Sequence, residues 1–445
     1  MQQEDDLPLN WFLFKRITRG LWFLPALFSV FAVLVLAAAY FSTIFFADPI
    51  KSGNLPITVS QEAVKGILSI VAASMLTVSV FALSTLVNLL ANASQSGSPR
   101  AVPLIVEDRR AQTSISVFIG AFLFSIVGII GLSGEIYSTS GRLILFGATV
   151  VVVLAIVFAL IRWIGQISVV GRVGETIDRV EKATKDALER LGPAALYGCC
   201  RSMSVTGSEF AVRAERVGFV QHFDRERLQE IAEEHNLNIH VVTRPGSYVD
   251  YATILAQAAG EASDDCLTSM RQAFLVGGQR TFDYDPGYGL TILAEIARRA
   301  LSPAVNDPGT AIDVIFSQTR LLGDWARGAY GEQAESQFSR VSVEPVAPAE
   351  LIAEAFGSIS RDAGASLDVT LAMLRGLKTL ANAAPSDFGK PAMQLAHDIL
   401  ARSELSMKLS QDIADVRAAV EEFGPAKAVP EVTDRKSLGS ATVVL

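Results

Sequence analysis

Four long apolar runs in the first third of the chain restrict its fold more than any other feature. They cover residues 22–46, 64–91, 115–132 and 143–161, and the only Asp, Glu, Lys or Arg within them is Lys65, at the edge of the second run. About 20 apolar residues cross the hydrocarbon core of a bilayer as a helix, which satisfies its own backbone polar groups. The runs therefore predict an α-helical membrane protein with four transmembrane helices.

The basic residues that flank these runs predict the orientation. Eight lie on one side of the membrane, namely Lys15, Arg16, Arg19, Arg100, Arg109, Arg110, Arg162 and Arg172, and three lie on the other, namely Lys51, Lys65 and Arg142. Lys and Arg concentrate in short cytoplasmic loops. We therefore expect the N- and C-termini to be cytoplasmic and the lipid bilayer to be the first partner of the chain.

Composition narrows the range of functions. The net charge of −8 argues against a nucleic-acid partner. Cys199, Cys200 and Cys266 fall in the part expected to face the reducing cytoplasm, which predicts ordinary thiols. The four histidines are scattered and lack the spacing of metal ligands. We expect neither a metal nor another cofactor.

The second apolar run carries a polar stripe. At about 100° per helical residue, its Ser, Thr, Asn and Gln side chains fall within about 100° of one another, opposite a face of Leu, Val and Ala. The stripe consists of Ser74, Thr77, Ser84, Thr85, Asn88, Asn92 and Gln95. Polar side chains at membrane depth face protein or water. The stripe therefore predicts either helix packing or the lining of a water-filled path.

The charged remainder predicts a cytoplasmic α+β domain that is mainly helical. Residues 217–223 and 237–243 are rich in β-branched and aromatic side chains and predict strands, and residues 224–236 between them predict a helix capped by Asp224. Helical patterns then cover 264–276, 287–301, 308–327, 349–384 and 389–423.

The predicted organisation is a cytoplasmic N-terminal segment with interfacial anchors (1–21), a four-helix transmembrane domain (22–165), a stalk or coiled-coil-like helix (166–192), a small α/β domain (193–262), a helical cytoplasmic domain (263–423) and a flexible tail (424–445).

The predicted stalk has an apolar seam. Val173, Ile177, Val180, Thr184, Ala187 and Leu191 follow one another in alternating steps of four and three residues. This is the spacing of a coiled coil about three heptads long. A seam of this length either docks on its own domain or joins subunits below the membrane.

Two prolines and an Asn-Asp pair interrupt the helical pattern in "RRALSPAVNDPGTAIDV", residues 298–314. Pro303 disfavours helical geometry at the residue before it, and Pro308 suits the first turn of a new helix with Asp307 as its cap. Such a corner is a structural joint, or it holds an anion or lipid headgroup through nearby arginines, or a cation through Asn and Asp oxygens. The candidate residues are Arg280, Arg298, Arg299, Ser302, Asn306, Asp307 and Thr310.

Three segments resemble a bacterial family of predicted membrane proteins catalogued as domain of unknown function 2254. They are "GQRTFDYDPGYGLTILAEIARRALSPAVNDPGTAID", "ASQSGSPRAVPLIVEDRR" and "VGFVQHFDRERLQEIAEEHN" followed by "RPGSYV". One departure is "FDYDPGYG", where a glutamine-aspartate pair is expected before the glycine. The resemblance extends to about Leu322 and implies a four-span inner-membrane protein with a cytoplasmic domain, without implying an activity.

These features favour an oligomeric ion channel or transport pathway lined by the second membrane helix and regulated by the cytoplasmic domain. Arg100, Arg109 and Arg110 at the inner mouth would favour anions. The alternative is a membrane-anchored sensor or scaffold that binds a ligand or a protein partner. An enzyme has least support, because no histidine lies near Ser302 or Asp307 in the sequence.

Overall fold

The structure is a computed structural model that describes residues 23–45, 60–106, 109–137, 139–167, 172–192, 196–201, 209–260, 263–329, 336–363 and 365–423. The predicted N-terminal segment and the predicted tail lie outside the described residues, as does Lys51.

Long apolar helices make up the membrane region. In chain order they are α1 (Phe23–Phe45), α2 (Gln61–Ser96), α4 (Arg109–Ser133) and α5 (Thr139–Ile167), with the short helix α3 (Val102–Val106) between α2 and α4. Within the described residues, α2, α4 and α5 contain stretches long and apolar enough to cross a membrane, whereas the apolar stretch found in α1, Phe23–Ala38, is shorter. The spans expected in α2, α4 and α5 are therefore supported. The first expected span, at residues 22–46, stays a prediction.

Helix α4 is the centre of this bundle. In its apolar stretch 56% of the residues are buried, against 22% in those of α2 and of α5. A Cβ atom at Gly120 would lie 3.3 Å from the Cβ of Phe28 on α1, and one at Gly128 would lie 3.1 Å from a methyl of Leu68 on α2. Glycines thus let α1 and α2 approach α4 closely, while each keeps one face outside the bundle.

The remainder, residues 172–423, forms the extramembrane domain, which contains two small sheets. The first sheet holds β1 (Cys199–Cys200), β2 (Glu209–Arg213), β4 (Asn238–Val241), β6 (Ile254–Ala259) and β8 (Phe338–Val343). The second holds β3 (Gly218–Phe223), β5 (Tyr248–Val249) and β7 (Phe274–Gly277). Their orders are β1-β8-β4-β6-β2 and β5-β3-β7. The predicted strands at 217–223 and 237–243 correspond to β3 and β4.

Strands from beyond residue 262 complete both sheets, so the predicted boundary between a small α/β domain and a helical domain does not separate two units. Strand β8 pairs in parallel with both β1 and β4, and Ile239 of β4 lies opposite Val341 of β8. Strand β7 pairs antiparallel with β3. The end of the helix predicted over 264–276 is therefore a strand, because backbone pairing with β3 decides the conformation of this short apolar run.

Helices cover these sheets and extend beyond them. They are α6 (Val173–Leu191), α7 (Arg225–Glu234), α8 (Asp264–Gln272), α9 (Pro286–Ala300), α10 (Pro308–Ala329), α11 (Pro348–Ile352), α12 (Ser358–Asp362), α13 (Leu367–Ala383), α14 (Pro385–Ser406) and α15 (Ser410–Glu421). The side chain of Asp224 caps α7 by accepting a 2.9 Å hydrogen bond from Arg227 N, as predicted. A π-helical turn, Ala353–Gly357, joins α11 to α12.

Helix α6, the predicted stalk, docks on its own domain. Its seam residues Val180, Thr184 and Leu191 are completely buried in the described protomer. A Cβ at Gly289 of α9 would overlap the Thr184 hydroxyl, so α6 and α9 are in close contact. The Glu181 carboxylate also accepts hydrogen bonds of 3.0 and 2.8 Å from the Arg320 guanidinium on α10. Of the two alternatives for the seam, the structure favours intramolecular packing.

Candidate functional site

The polar stripe of α2 lies on the side of the helix that faces away from the bundle. Val71, Met75, Ala82 and Leu86 of α2 are buried in a cluster with side chains of α4 and α5. At about 100° per residue, the centre of the stripe is rotated about 120° away from these buried side chains. Ser74, Thr77, Ser84, Asn88, Asn92 and Gln95 are exposed in the described protomer, and Thr85 is half-buried.

Three hydroxyls of the stripe are satisfied within α2 itself. Ser74 donates to the Ile70 carbonyl at 2.7 Å, and Thr77 and Thr85 donate to the carbonyls four residues before them at 3.1 and 2.9 Å. These local bonds lower the cost of placing a hydroxyl at membrane depth. The exposed amide of Asn88 has two donors and one acceptor, more than one bond to its own helix satisfies. Of the residues in the stripe, Asn88 therefore has the greatest need of a polar partner outside α2.

Of the predicted inner-mouth arginines, Arg100 is the one whose side chain the structure describes. It follows α2 by four residues and forms an ion pair with Glu295 of α9, and its side chain remains 60% exposed. Arg109 and Arg110 begin α4, and their side chains lie outside the described part of the chain. An exposed guanidinium, paired with Glu295, therefore lies at this end of α2.

The C-terminal half of α9 holds the end of α2. Arg299 Nη1 donates hydrogen bonds of 3.0 Å to the carbonyl of Ser94 and 3.2 Å to that of Gly97. The last carbonyls of a helix have no partner within it, so a cation here supplies hydrogen bonds and complements the helix dipole. The Ser98 hydroxyl also donates to Glu295 Oε2 at 2.9 Å. The extramembrane domain is thereby attached directly to α2.

Sequence reasoning did not identify Glu295 as part of this site. It is 197 residues from Ser98 and 195 from Arg100, the two residues that it binds. On an amphipathic helix a single glutamate has the pattern of a solvated residue. No spacing rule connects it to the membrane segment, and only the packing of α9 against the end of α2 shows the relationship.

The interruption at 298–314 is the capped helix corner that the sequence predicts. Helix α9 ends at Ala300 and α10 begins at Pro308. Asp307 caps α10, since its carboxylate accepts hydrogen bonds from Thr310 N at 3.1 Å and from Thr310 Oγ1 at 2.6 Å. Asn306 takes the turn with φ of 50°, and Ser302 Oγ donates to the Arg299 carbonyl at 2.7 Å. The polar groups of the corner are thus engaged with one another.

The arginines predicted to serve the corner lie at different places. Arg298 is paired with Asp362 of α12 at 2.6 Å, and Arg299 is bound to the end of α2. Arg280 lies near the other end of α9, where it binds Asp285. The structure therefore does not bring these three guanidinium groups together around one anion.

A polar cleft of about 170 Å³ lies at the N-terminal end of α9, between the sheets and the helical segments that follow β8. We call it the arginine cleft. The polar side chains that line it are Tyr197, Arg244, Ser247, Arg280, Asp285, Glu350 and Glu354. A Cβ at Gly246 would overlap the Asp285 carboxylate, and the φ of this glycine is +91°, so the turn "RPG" fits against Asp285 only with glycine at this position.

Hydrogen bonds hold each arginine of the cleft in place. Arg280 forms a bidentate pair with Asp285, at 2.7 and 2.9 Å, and Asp285 also caps α9 by accepting from Tyr288 N at 3.0 Å. Arg244 donates to the Pro345 carbonyl at 2.9 Å and to the Glu350 carboxylate at 2.9 and 3.2 Å. The cleft thus presents two fixed guanidinium groups.

Burial perturbs two ionisable groups near this cleft. It raises the pKa of the Tyr197 phenol, so this group stays protonated at neutral pH and can donate a hydrogen bond. Burial, and then the nearby Arg225, lower the pKa of His222 to about 4. The His222 ring lies 4.4 Å from that of Tyr284, in the loop before α9. The neutral His222 ring therefore packs against this loop.

Thiols and histidines do not form a metal centre in the part of the chain that the structure describes. No group of three or more His, Cys, Asp or Glu side chains is arranged to hold a metal ion there. Cys199 and Cys266 are buried free thiols, and Cys200 is a partly buried one.

The fold and these contacts define a helical membrane protein in which an α+β extramembrane domain binds the end of one membrane helix. The chain belongs to the family described as predicted membrane protein, domain of unknown function 2254, whose model matches residues 18–379.

Relatives in mycobacteria share part of this chain. The uncharacterized proteins Rv1290c of Mycobacterium tuberculosis and Mb1321c of Mycobacterium bovis are each 27% identical to it over 283 residues, which is 60% of this chain and 54% of the relative. The chain thus spans about half the length of these relatives. No solved structure matches it.

Proposed function

We propose that this protein is an oligomeric channel or transport pathway of the bacterial inner membrane, with four membrane spans and both termini in the cytoplasm. Helix α2 lines the path, and the extramembrane domain regulates it from the cytoplasmic side. In this proposal the protein moves a small ion or solute and catalyses no reaction.

The observation that carries the proposal is the direction of the polar stripe. Its side chains point away from the bundle of their own protomer, and Asn88 and Ser84 are exposed there. Lipid is a poor neighbour for amides and hydroxyls, so the stripe requires another subunit, water, or both. Several copies arranged around an axis, each with α2 innermost, would give these side chains a shared aqueous path.

Charge at the inner end favours anions. The stripe of α2 consists of hydroxyls and amides and contains no acidic side chain. Arg100 lies just beyond the last turn of α2 and is 60% exposed. A positive ring at the mouth of a path raises the local concentration of anions.

Regulation would act through α9. Its C-terminal half binds the last carbonyls of α2 through Arg299, and its N-terminal end forms one wall of the arginine cleft. Both places lie on one helix of 15 residues, which is about 22 Å long. A shift of α9 would therefore move the inner end of α2.

The second candidate is a membrane-anchored sensor or scaffold. The arginine cleft favours it, because a polar cavity between structural units is a typical ligand position. In this case the stripe of α2 would serve helix packing between subunits, without water.

Two neighbouring cysteine substitutions separate these candidates. Ser84 is on the stripe, and Leu83 is 53% exposed but about 100° away on the lipid-facing side of α2. The purified protein is placed in planar bilayers and treated with a charged, water-soluble thiol reagent. The reagent should reduce the conductance of Ser84→Cys by more than half and leave that of Leu83→Cys unchanged.

The unsubstituted protein measures the background from Cys199, Cys200 and Cys266. The channel fails as an explanation if no conductance is seen under any ion or pH condition. It fails equally if Asn88→Leu leaves the conductance at its wild-type level, or if both cysteine variants respond alike. Those outcomes leave the anchored sensor as the function.

A further inference from the structure

We infer that the arginine cleft binds a small phosphate-type oxyanion, which contacts Arg244 and Arg280 and displaces Glu350 and Glu354 from them. This inference deepens the proposed regulation of α9 and depends on it for its biological meaning. The binding itself is independent of whether α2 lines a path.

The two guanidinium groups are fixed without the glutamates. Arg280 is anchored by both oxygens of Asp285, whose side chain is only 7% exposed. Arg244 is anchored by the Pro345 carbonyl at 2.9 Å. Both side chains are about 20% exposed, at 22% and 21%, so they face the cleft in a partly desolvated setting. Guanidinium groups that are fixed in position and partly desolvated are suited to binding phosphate and carboxylate groups.

The glutamates opposite them are the more exposed partners, although Glu354 also accepts a hydrogen bond from the Thr291 hydroxyl. The side chain of Glu350 is 55% exposed and that of Glu354 is 37% exposed. The distance from Glu354 Oε1 to Arg280 Nη1 is 3.7 Å, too long for a hydrogen bond. Glu354 lies in the π-helical turn, and such turns occur often at functional sites. Exposed ion pairs contribute little, so an incoming oxyanion loses little by replacing them.

Charge within the cleft changes sign when the glutamates leave. With both glutamates present, two arginines face three carboxylates, those of Asp285, Glu350 and Glu354. Once both glutamates turn towards solvent, the two arginines face Asp285 alone and the cleft is positive. The resting cleft is therefore closed to anions by its own side chains, which makes binding and displacement one event.

Uncharged groups form the rest of the wall. Tyr197, whose hydroxyl donates to the Tyr284 carbonyl at 3.4 Å, lines the cleft, and so does the N-terminal end of α9, where Gly287 follows Pro286. A side chain at Gly287 would approach Arg280 Nη2 to 3.3 Å, so glycine keeps this wall open. Pro286 has no N–H and the Tyr288 N–H is bound by Asp285, so the first turn of α9 adds at most the Gly287 N–H as a backbone donor. The two arginines are therefore the principal donors of this cavity.

Size selects the class of ligand. The cleft has a volume of about 170 Å³. Sites for larger organic ligands are usually about 300 Å³ or more. The cleft therefore suits phosphate or pyrophosphate better than a nucleotide.

Titration calorimetry of the full chain in lipid nanodiscs tests this inference, with sodium phosphate or pyrophosphate added at constant ionic strength. The wild-type protein should bind one of them. Glu350→Gln and Glu354→Gln should each bind about three- to five-fold more tightly, since each removes a competing exposed carboxylate. Arg244→Gln should bind at least about tenfold more weakly, since it removes charge-assisted hydrogen bonds.

Arg298→Gln is the matched control, because Arg298 is an arginine of the same region paired with an exposed carboxylate, Asp362. Its affinity should equal that of the wild type. Absence of binding in both the wild type and Glu350→Gln overturns the inference, and so does equal weakening by Arg244→Gln and Arg298→Gln. The glutamate variants keep the test valid even if Arg244→Gln does not fold. A protein that binds but does not conduct refutes the channel and not this site.

Discussion

The guanidinium of Arg299 lies 3.0 Å from the carbonyl oxygen of Ser94, a residue 205 positions earlier in the chain, and caps the last turn of α2. Arg299→Gln should free this helix end, because glutamine is shorter and uncharged. Hydrogen bonds to a charged donor contribute about 1.5–3 kcal/mol. Hydrogen exchange of the amides around residues 91–98 in nanodiscs should therefore become about ten- to a hundredfold faster.

Its neighbour provides the control. Arg298 forms an exposed pair with Asp362, and such pairs contribute about 0–1 kcal/mol. Arg298→Gln should leave exchange at the end of α2 as it is in the wild type. Equal acceleration in both variants would show that Arg299 has no specific role there.

Gly289→Ala should separate α6 from α9. The new Cβ would lie 2.9 Å from Thr184 Cβ and closer still to its hydroxyl. Overpacking of this kind costs about 1–3 kcal/mol. A lower midpoint in denaturant unfolding would report it. Adding Thr184→Ala removes the hydroxyl overlap but keeps the 2.9 Å contact between the two Cβ atoms, so it should restore part of the loss, which a double-mutant cycle measures.

Gly174 offers a matched substitution in α6. A Cβ at this position meets nothing within 4 Å. Gly174→Ala should leave the midpoint unchanged or raise it slightly, because alanine is the better helix former. A loss as large as that of Gly289→Ala would contradict the role of the Thr184 contact.

The stability of the extramembrane domain should fall as the pH decreases from about 6.5 to about 4. The pKa of His222 is lowered to about 4 by burial, so the unfolded chain takes up a proton in this window while the folded chain does not. The full shift corresponds to about 3 kcal/mol, of which about 2 kcal/mol is lost by pH 5. Chemical denaturation at pH 7 and pH 5 measures the difference.

His222→Phe should remove most of this slope, because it keeps an aromatic ring beside Tyr284 and cannot be protonated. His397 is exposed on α14. His397→Phe should therefore retain the wild-type slope. A His222→Phe variant with an unchanged slope would assign the pH dependence to other groups.

Asp307→Ala should weaken the helix corner by about 0.5–2 kcal/mol, since Thr310 N and Oγ1 lose their acceptor. Asp307→Asn retains an acceptor oxygen and should lose less. The hydrogen bonds from Thr310 also lower the pKa of Asp307, so its charge persists at neutral pH. Unfolding in the presence and absence of Ca²⁺ distinguishes a joint from a cation site, because a joint gains no stability from the ion. Asp313→Ala, an exposed change on α10, serves as the control.

The sequence predicts the features that depend on local chemistry. Uncharged apolar runs identify the long helices, Asp224 and Asp307 identify caps, and Pro303 and Pro308 mark the corner. Each rests on side chains a few residues apart, so spacing alone is sufficient. The helical spacing of the polar residues is likewise sufficient to predict the stripe of α2. The direction in which the stripe points depends on where α4 packs, which the spacing does not reveal.

The features that sequence reasoning missed depend on distant partners. The strand β8, Phe338–Val343, is short, and its conformation is decided by pairing with β1 and β4, more than 90 residues earlier. Arg244 and Glu350, 106 positions apart, meet only after the sheets and helices have packed. Arg280 was assigned to the corner because it is near in sequence, and the length of α9 carries it to the opposite end.

The position of β8 also bears on how the chain is made. This strand lies between β1 and β4 in the sheet, although it is the last of the three to be synthesised. A ribosome must complete about 340 residues before the sheet can close, long after the apolar helices have emerged. The apolar helices therefore emerge while the extramembrane domain is still incomplete, and the contact of α9 with the end of α2 forms only late in biogenesis.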